Sequence, residues 1–79
     1  MNDRLAKVLA EVFGLREDQI TPELTKDDVA SWDSLKQMDL VMSVEREYGL
    51  SLEIPDIIQM HSVANIITVL QAKGVEFGD

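Results

Sequence analysis

The chain has 79 residues, enough for one small domain spanning 1–79 and too few for a catalytic cleft with its own walls. Hydrophobic residues make up 46%, which supplies one core and argues against disorder; aromatics are only 5%, so that core is aliphatic, with methionine filling gaps. A net charge of −8, from 15 acidic against 7 basic residues, argues against nucleic acid and anionic membranes and favours partner proteins with basic patches.

The absence of cysteine excludes a disulfide, a thiolate metal site and a thiol nucleophile. Met1 to Ala10 alternates charged and apolar residues, unlike a signal peptide. No apolar run approaches transmembrane length, so no membrane insertion is expected and the cytoplasm is the default compartment.

In chain order, Asn2 or Asp3 caps a first helix, in which Leu5, Val8, Leu9, Val12 and Phe13 form one apolar stripe. Gly14 followed by Leu15 reads as a left-handed cap with its apolar partner. From Arg16 to Asp33 polar residues dominate, and Thr21-Pro22 breaks any helix. Leu15, Ile20, Leu24, Val29 and Trp32 are spaced along this stretch as anchors, so it reads as a long loop pinned to the core. Thr25 with Asp28 three residues on suits the cap of a single turn. Long loops in compact domains are often functional.

A second helix is expected from Ser34 to Tyr48, with Leu35, Met38, Val41, Met42 and Tyr48 on its apolar stripe and Leu40 and Val44 widening it. Gly49-Leu50 repeats the earlier cap chemistry. Pro55 to Met60 suits a short third helix with proline at its first position, and His61 and Ser62 break it. Ser62 caps a fourth helix carrying Val63, Ile66, Ile67 and Leu70. Gly74 stops it after Lys73, a cation suited to the end of the helix dipole. Val75 to Asp79 is expected to be a frayed tail. No stretch alternates long enough for a strand. The fold class is therefore all-α: a four-helix bundle of three substantial helices and one short, with a long first loop, expected to be a monomer.

The charge is uneven. Over residues 17–33, Glu17, Asp18, Glu23, Asp27, Asp28 and Asp33 stand against Lys26 alone. Acidity is thus concentrated in the segment that delivers the chain to Ser34.

Ser34 stands where that loop becomes the longest amphipathic run. As a nucleophile it would need a base, and the only histidine is His61. A chain this short leaves little to bind substrate or build an oxyanion site, so a hydrolase is a remote reading and no catalytic residue is assigned. Asp27, Asp28 and Asp33 do not match a calcium loop, and no metal site is assigned. His61 reads as a polar residue at a helix junction. On local pattern alone Ser34 with Gln37 is a capping box, which makes Ser34 only a helix cap in a small acidic interaction domain. The functional reading rests on the constellation. A helix N-terminus favours a phosphate, Asp33 beside it suits holding a divalent ion during phosphoryl transfer, and Asp33 is able to take over the cap if Ser34 is esterified. Leu35 is apolar at a position expected to be partly exposed, as a docking contact would be.

Asp33-Ser34-Leu35 at the start of an amphipathic helix resembles the attachment motif of acyl carrier proteins. The likeness extends to Leu40-Val41-Met42, Glu45-Arg46-Glu47-Tyr48-Gly49, Ile54-Pro55-Asp56 and Ser62-Val63. It covers nearly the whole chain, including the long first loop. The resemblance implies a carrier, not an enzyme. It implies 4′-phosphopantetheine moved from coenzyme A onto Ser34 by a phosphopantetheinyl transferase, with Asp33 in the motif. It also implies acyl-transferring or acyl-modifying partner enzymes, reading Leu35, Asp39, Met42 and Glu45 on the second helix and residues near Ile57 on the third. Acyl chains are expected to tuck between helices where Met38, Met42 and Met60 repack.

The chain departs from the fatty-acid-synthesis members it resembles. Lys36 and Arg46 interrupt the acidity of the second helix, and Ile57-Ile58-Gln59-Met60 stands where acids are common. Trp32 replaces a small or aliphatic residue and is expected to anchor the loop in the core. These differences imply a dedicated or secondary pathway. Asp33 and Trp32 before Ser34 set the chain apart from peptidyl carriers, whose lead-in is glycine-rich.

Overall fold

A computed structural model describes residues 2–77. Its helices are α1 (Asp3–Phe13), α2 (Ser34–Tyr48), α3 (Ile54–Gln59) and α4 (Val63–Ala72), with single 3₁₀ turns at Glu17–Gln19 and Lys26–Asp28. The all-helical bundle expected from the sequence is the observed fold.

The helix ends follow from local chemistry. The Asn2 side chain accepts from the Leu5 amide at 3.1 Å and starts α1. Gly14, at φ 68°, ends it, and the Leu15 amide reaches back to the Ala10 carbonyl at 3.0 Å. α2 ends in the same way at Gly49 and Leu50. The Ser62 hydroxyl caps α4 by accepting from the Asn65 amide. α3 spans Ile54–Gln59 rather than 55–60, because Glu53 begins the capping turn, its amide donating to the Asp56 carboxylate at 2.9 Å.

The long loop is pinned as its anchors suggest. Ile20, Val29 and Trp32 are buried, and Leu15 and Leu24 pack against the core. Trp32 lies on Phe13 with ring centroids 4.4 Å apart. Thr25 caps the second turn, its amide and hydroxyl both donating to Asp28. The Arg16 amide donating to Gln19 Oε1 organises the first turn, which the sequence reading missed. The loop is also stitched to the α3–α4 junction. The Lys26 amide donates to His61 O, Val63 N–H to Leu24 O and Ala64 N–H to Pro22 O, all near 3.0 Å, around a single antiparallel bridge of Thr25 with Ser62.

Two expectations need correction. The stripe that α2 buries runs through Leu40, Val41 and Val44, so Val41 lies inside as expected, whereas Met38 and Met42 are exposed, as is Leu35, whose exposure the docking reading anticipated. α2 carries apolar residues on more than one face, so periodicity alone did not say which one turns inward. The tail is not frayed over its described part: Val75 and Phe77 pack against the core, and Phe77 meets the Tyr48 ring edge-on at 6.2 Å. Residues 78 and 79 lie outside the described residues.

Candidate functional site

Ser34 is the first residue of α2, and Asp33, in extended backbone just before it, is the cap. Asp33 Oδ1 accepts from the Lys36 amide at 2.9 Å, and Asp33 O accepts from Gln37 N–H at 2.8 Å. The expectation that Ser34 and Gln37 form a capping box is therefore corrected. The neighbouring carboxylate has already taken that place, and the Gln37 side chain is used elsewhere. Ser34 is exposed, and its hydroxyl has no hydrogen-bond partner among the described residues.

The lead-in to the serine is held rigidly. Trp32 Nε1 donates to Gln37 Oε1 at 2.6 Å. The Gln37 amide nitrogen donates in turn to the Ile57 and Met60 carbonyls at 3.0 and 3.2 Å. One side chain thereby ties the end of the loop, the first turn of α2 and the end of α3 together. Trp32 is the core anchor expected of it.

The other sequence-derived residues fall as follows. Leu35 is 83% exposed and Met42 59%. Asp39 is exposed, with a carboxylate oxygen 3.9 Å from Lys36 Nζ. Leu35, Lys36 and Asp39 share a shallow open depression with Ser31 and Asp33 beside the serine. Glu45 is spoken for inside the fold, its carboxylate accepting from the Leu52 amide at 2.8 Å. Ile57 is half-buried, with its carbonyl on Gln37. Met60 is fully buried while Met38 and Met42 are exposed, so the three methionines do not line one interior space. The imidazole of His61 faces Asn65 Nδ2 at 3.1 Å, and among the described residues no hydrogen bond joins it to Ser34.

Lys73 does more than favour a helix dipole. Its ammonium meets the Asp56 carboxylate at 2.9 Å and clips α3 to the end of α4. The Glu53 amide and then Lys73 hold the Asp56 carboxyl below its ordinary pKa, while Asp56 raises that of Lys73. Sequence reasoning missed this pair because nothing local links residue 56 to residue 73.

The fold and site together define a small helical domain that offers an accessible serine at the mouth of its longest helix. Residues 3–70 match the family described as phosphopantetheine attachment site. The chain is similar to the acyl carrier protein of Thermotoga maritima, 30% identical over 70 residues covering 89% of this chain and 86% of that protein. It is also similar to the meromycolate extension acyl carrier protein of Mycobacterium leprae, 28% identical over 85% of this chain and 58% of that longer protein. A third relative, the acyl carrier protein of Petrotoga mobilis, is 25% identical over 90% of this chain and 84% of its own length. The chain belongs to the acyl carrier protein family. It is a carrier rather than an enzyme, and its prosthetic group is 4′-phosphopantetheine. No helix among the described residues is long and apolar enough to cross a membrane.

The residues around Ser34 fit such a group. The hydroxyl is accessible and unengaged, and the Ser34 and Leu35 amides in the open first turn have no protein partner among the described residues. A phosphodiester on Ser34 would find those N–H groups and the positive end of the helix dipole.

Proposed function

We propose that Ser34 is the residue to which a phosphopantetheinyl transferase attaches the arm from coenzyme A, and that the loaded chain presents acyl groups to biosynthetic enzymes. One observation carries this reading: Asp33 holds the cap, which leaves the adjacent Ser34 hydroxyl exposed and free to be esterified. The arm supplies the thiol that carries acyl groups as thioesters, in a chain with no cysteine of its own.

The chain's own residues prepare the serine. Asp33 keeps the first turn closed before and after esterification, and the carboxylate oxygen that the cap does not use suits a divalent ion held by the transferase. Trp32 and Gln37 fix where α2 begins, so Ser34 is presented at a defined point. Leu35 and Met42 provide apolar contact for partner enzymes, with Asp39, Glu45 and Ile57 around them. The acidic loop favours transferases and acyl-modifying enzymes that bring basic patches. Lys36 beside the serine and the apolar surface of α3 support a dedicated or secondary acyl pathway in the cytoplasm.

The test is intact mass after incubation with coenzyme A and a broad-specificity phosphopantetheinyl transferase. A gain of one phosphopantetheine, abolished by Ser34→Ala, is expected. An unchanged mass with a transferase that loads a control carrier would reject the assignment.

A further inference from the structure

α3 is fastened to α2 near both of its ends by side chains that bond to backbone. One turn into α2 from Ser34, Gln37 Nε2 donates to the Ile57 and Met60 carbonyls at 3.0 and 3.2 Å. Its Oε1 accepts the Trp32 indole N–H at 2.6 Å. Further along, about 12 Å down the axis of α2 from Gln37, the Glu45 carboxylate accepts from the Leu52 amide at 2.8 Å, just ahead of α3. α4 grips α3 as well, with Lys73 Nζ 2.9 Å from the Asp56 carboxylate. The core side chains that these elements supply, Leu40 and Val44 of α2 and Met60 after α3, have no accessible surface.

These bonds compete with apolar cargo. An alkyl chain borne on Ser34 gains by leaving water, and the gain rises with every methylene. Ser34 and Gln37, three residues apart on a helix, are neighbours, so Gln37 stands at the edge of the core closest in sequence to the attachment point. To pass between α2 and the end of α3, a chain would have to part Gln37 from its partners. Met60 O and the indole nitrogen of the buried Trp32 would then have no protein partner among the described residues, and Ile57 O would keep only the Met60 amide. Stranding two such groups costs about as much as burying three or more methylenes returns.

We propose that Gln37 determines which cargo suits this carrier: by fastening α2 to the end of α3 it keeps acyl chains out of the helical core. The chain is thereby fitted to acyl groups short or polar enough to stand in water, and longer alkyl chains stay outside until an enzyme covers them. This rests on Ser34 being the attachment residue, and it reverses the expectation that acyl chains tuck between the helices. Trp32 acts through Gln37, holding its amide in the orientation that aims Nε2 at α3.

The test compares wild type with Gln37→Met, which keeps an unbranched side chain of similar length but no polar hydrogen. In the unloaded protein, Gln37→Met should speed hydrogen exchange of the Met60 amide about tenfold more than that of the Leu9 amide in α1. A broad-specificity phosphopantetheinyl transferase supplied with butyryl- or octanoyl-coenzyme A then provides two loaded forms, each checked by intact mass. In wild type the octanoyl form should melt within about 2 °C of the butyryl form, because no methylene is sheltered; in Gln37→Met it should melt more than about 2 °C higher. Circular dichroism checks that the variant stays helical. A wild-type octanoyl form stabilised beyond that limit would overturn the proposal whether or not the variant folds. So would a Gln37→Met protein indifferent to chain length, or one whose Met60 exchange keeps pace with Leu9. Absence of loading rejects Ser34 instead, and the exchange measurement on unloaded protein still decides the role of Gln37.

Discussion

The Trp32 indole donates to the Gln37 amide oxygen at 2.6 Å, and through that one contact the acidic loop is fastened to α2 and α3 together. The indole nitrogen is at the edge of the core and needs a partner, while the other end of the Gln37 amide satisfies two carbonyls at the end of α3. Gln37→Ala removes three hydrogen bonds and leaves the indole nitrogen unpaired. It should cost about 2–3 kcal/mol of stability. Urea denaturation followed by the single tryptophan's fluorescence measures it, and Gln37→Glu, which keeps an acceptor for Trp32 but aims an anionic oxygen at Ile57 O and Met60 O, should not rescue the loss.

Capping separates Asp33 from Ser34. Asp33→Ala removes the side chain that satisfies Lys36 N–H and should cost about 1 kcal/mol. Ser34→Ala removes a hydroxyl with no protein partner and should change stability by less than about 0.5 kcal/mol. Paired denaturation curves decide this. A Ser34→Ala loss equal to that of Asp33→Ala would return the cap to the serine.

The Asp56–Lys73 clip gives a signed pH dependence. The folded Asp56 carboxyl titrates below its ordinary value of 3.8, so its contribution is present above that pH and is lost as pH falls through the lower folded value. Lys73 titrates above its ordinary 10.5, so its contribution is present below that pH and is lost as pH rises through the higher folded value. Wild type should therefore exceed Asp56→Asn in stability between these limits, and the difference should shrink on acidification below about pH 4. Urea midpoints across the pH range, compared between the two proteins, test this.

The described part of the tail contributes to packing. Phe77 rests on Tyr48, over which the Arg4 guanidinium is also stacked, 4.6 Å from the ring centroid. Phe77→Ala should cost about 1–2 kcal/mol, a fraction of what a fully buried phenylalanine costs. Thermal denaturation distinguishes this from a free tail, for which the substitution would be neutral.

Association with the transferase should slow as salt rises, because Glu23 and Asp27 face solvent in the loop that leads to Ser34. Asp27→Asn should slow association more than Glu76→Gln in stopped-flow traces at low salt. Asp28 is unsuited to this test, since its carboxylate is the partner of Thr25 and its loss would unravel the turn.

Much of this architecture is written locally. The caps at Asn2, Gly14, Gly49 and Ser62, and the 34–48 run, are statements about neighbouring residues, and each helix end follows from them. The concentration of acid in the loop and the Asp33-Ser34-Leu35 motif are equally matters of order along the chain, so the class of protein and the candidate serine were legible without coordinates.

Three things were not. Asp33 and Ser34 are adjacent and both able to cap. The choice fell to Asp33 because Trp32, seated on Phe13 and bonded to Gln37, sets where the chain turns into the helix. α2 has apolar residues on more than one face, and packing of Leu40 and Val44 into the core turned Leu35, Met38 and Met42 outward beside the serine. Lys73 met Asp56 only when α4 returned to α3. Caps and periodicity are decided within a turn or two of the chain, whereas the inward face and the partner of a charge depend on residues brought together from far apart. The amino-acid order by itself settled which segments are helices and which serine stands at a helix mouth, and tertiary packing alone settled that this hydroxyl is left free with an apolar surface around it.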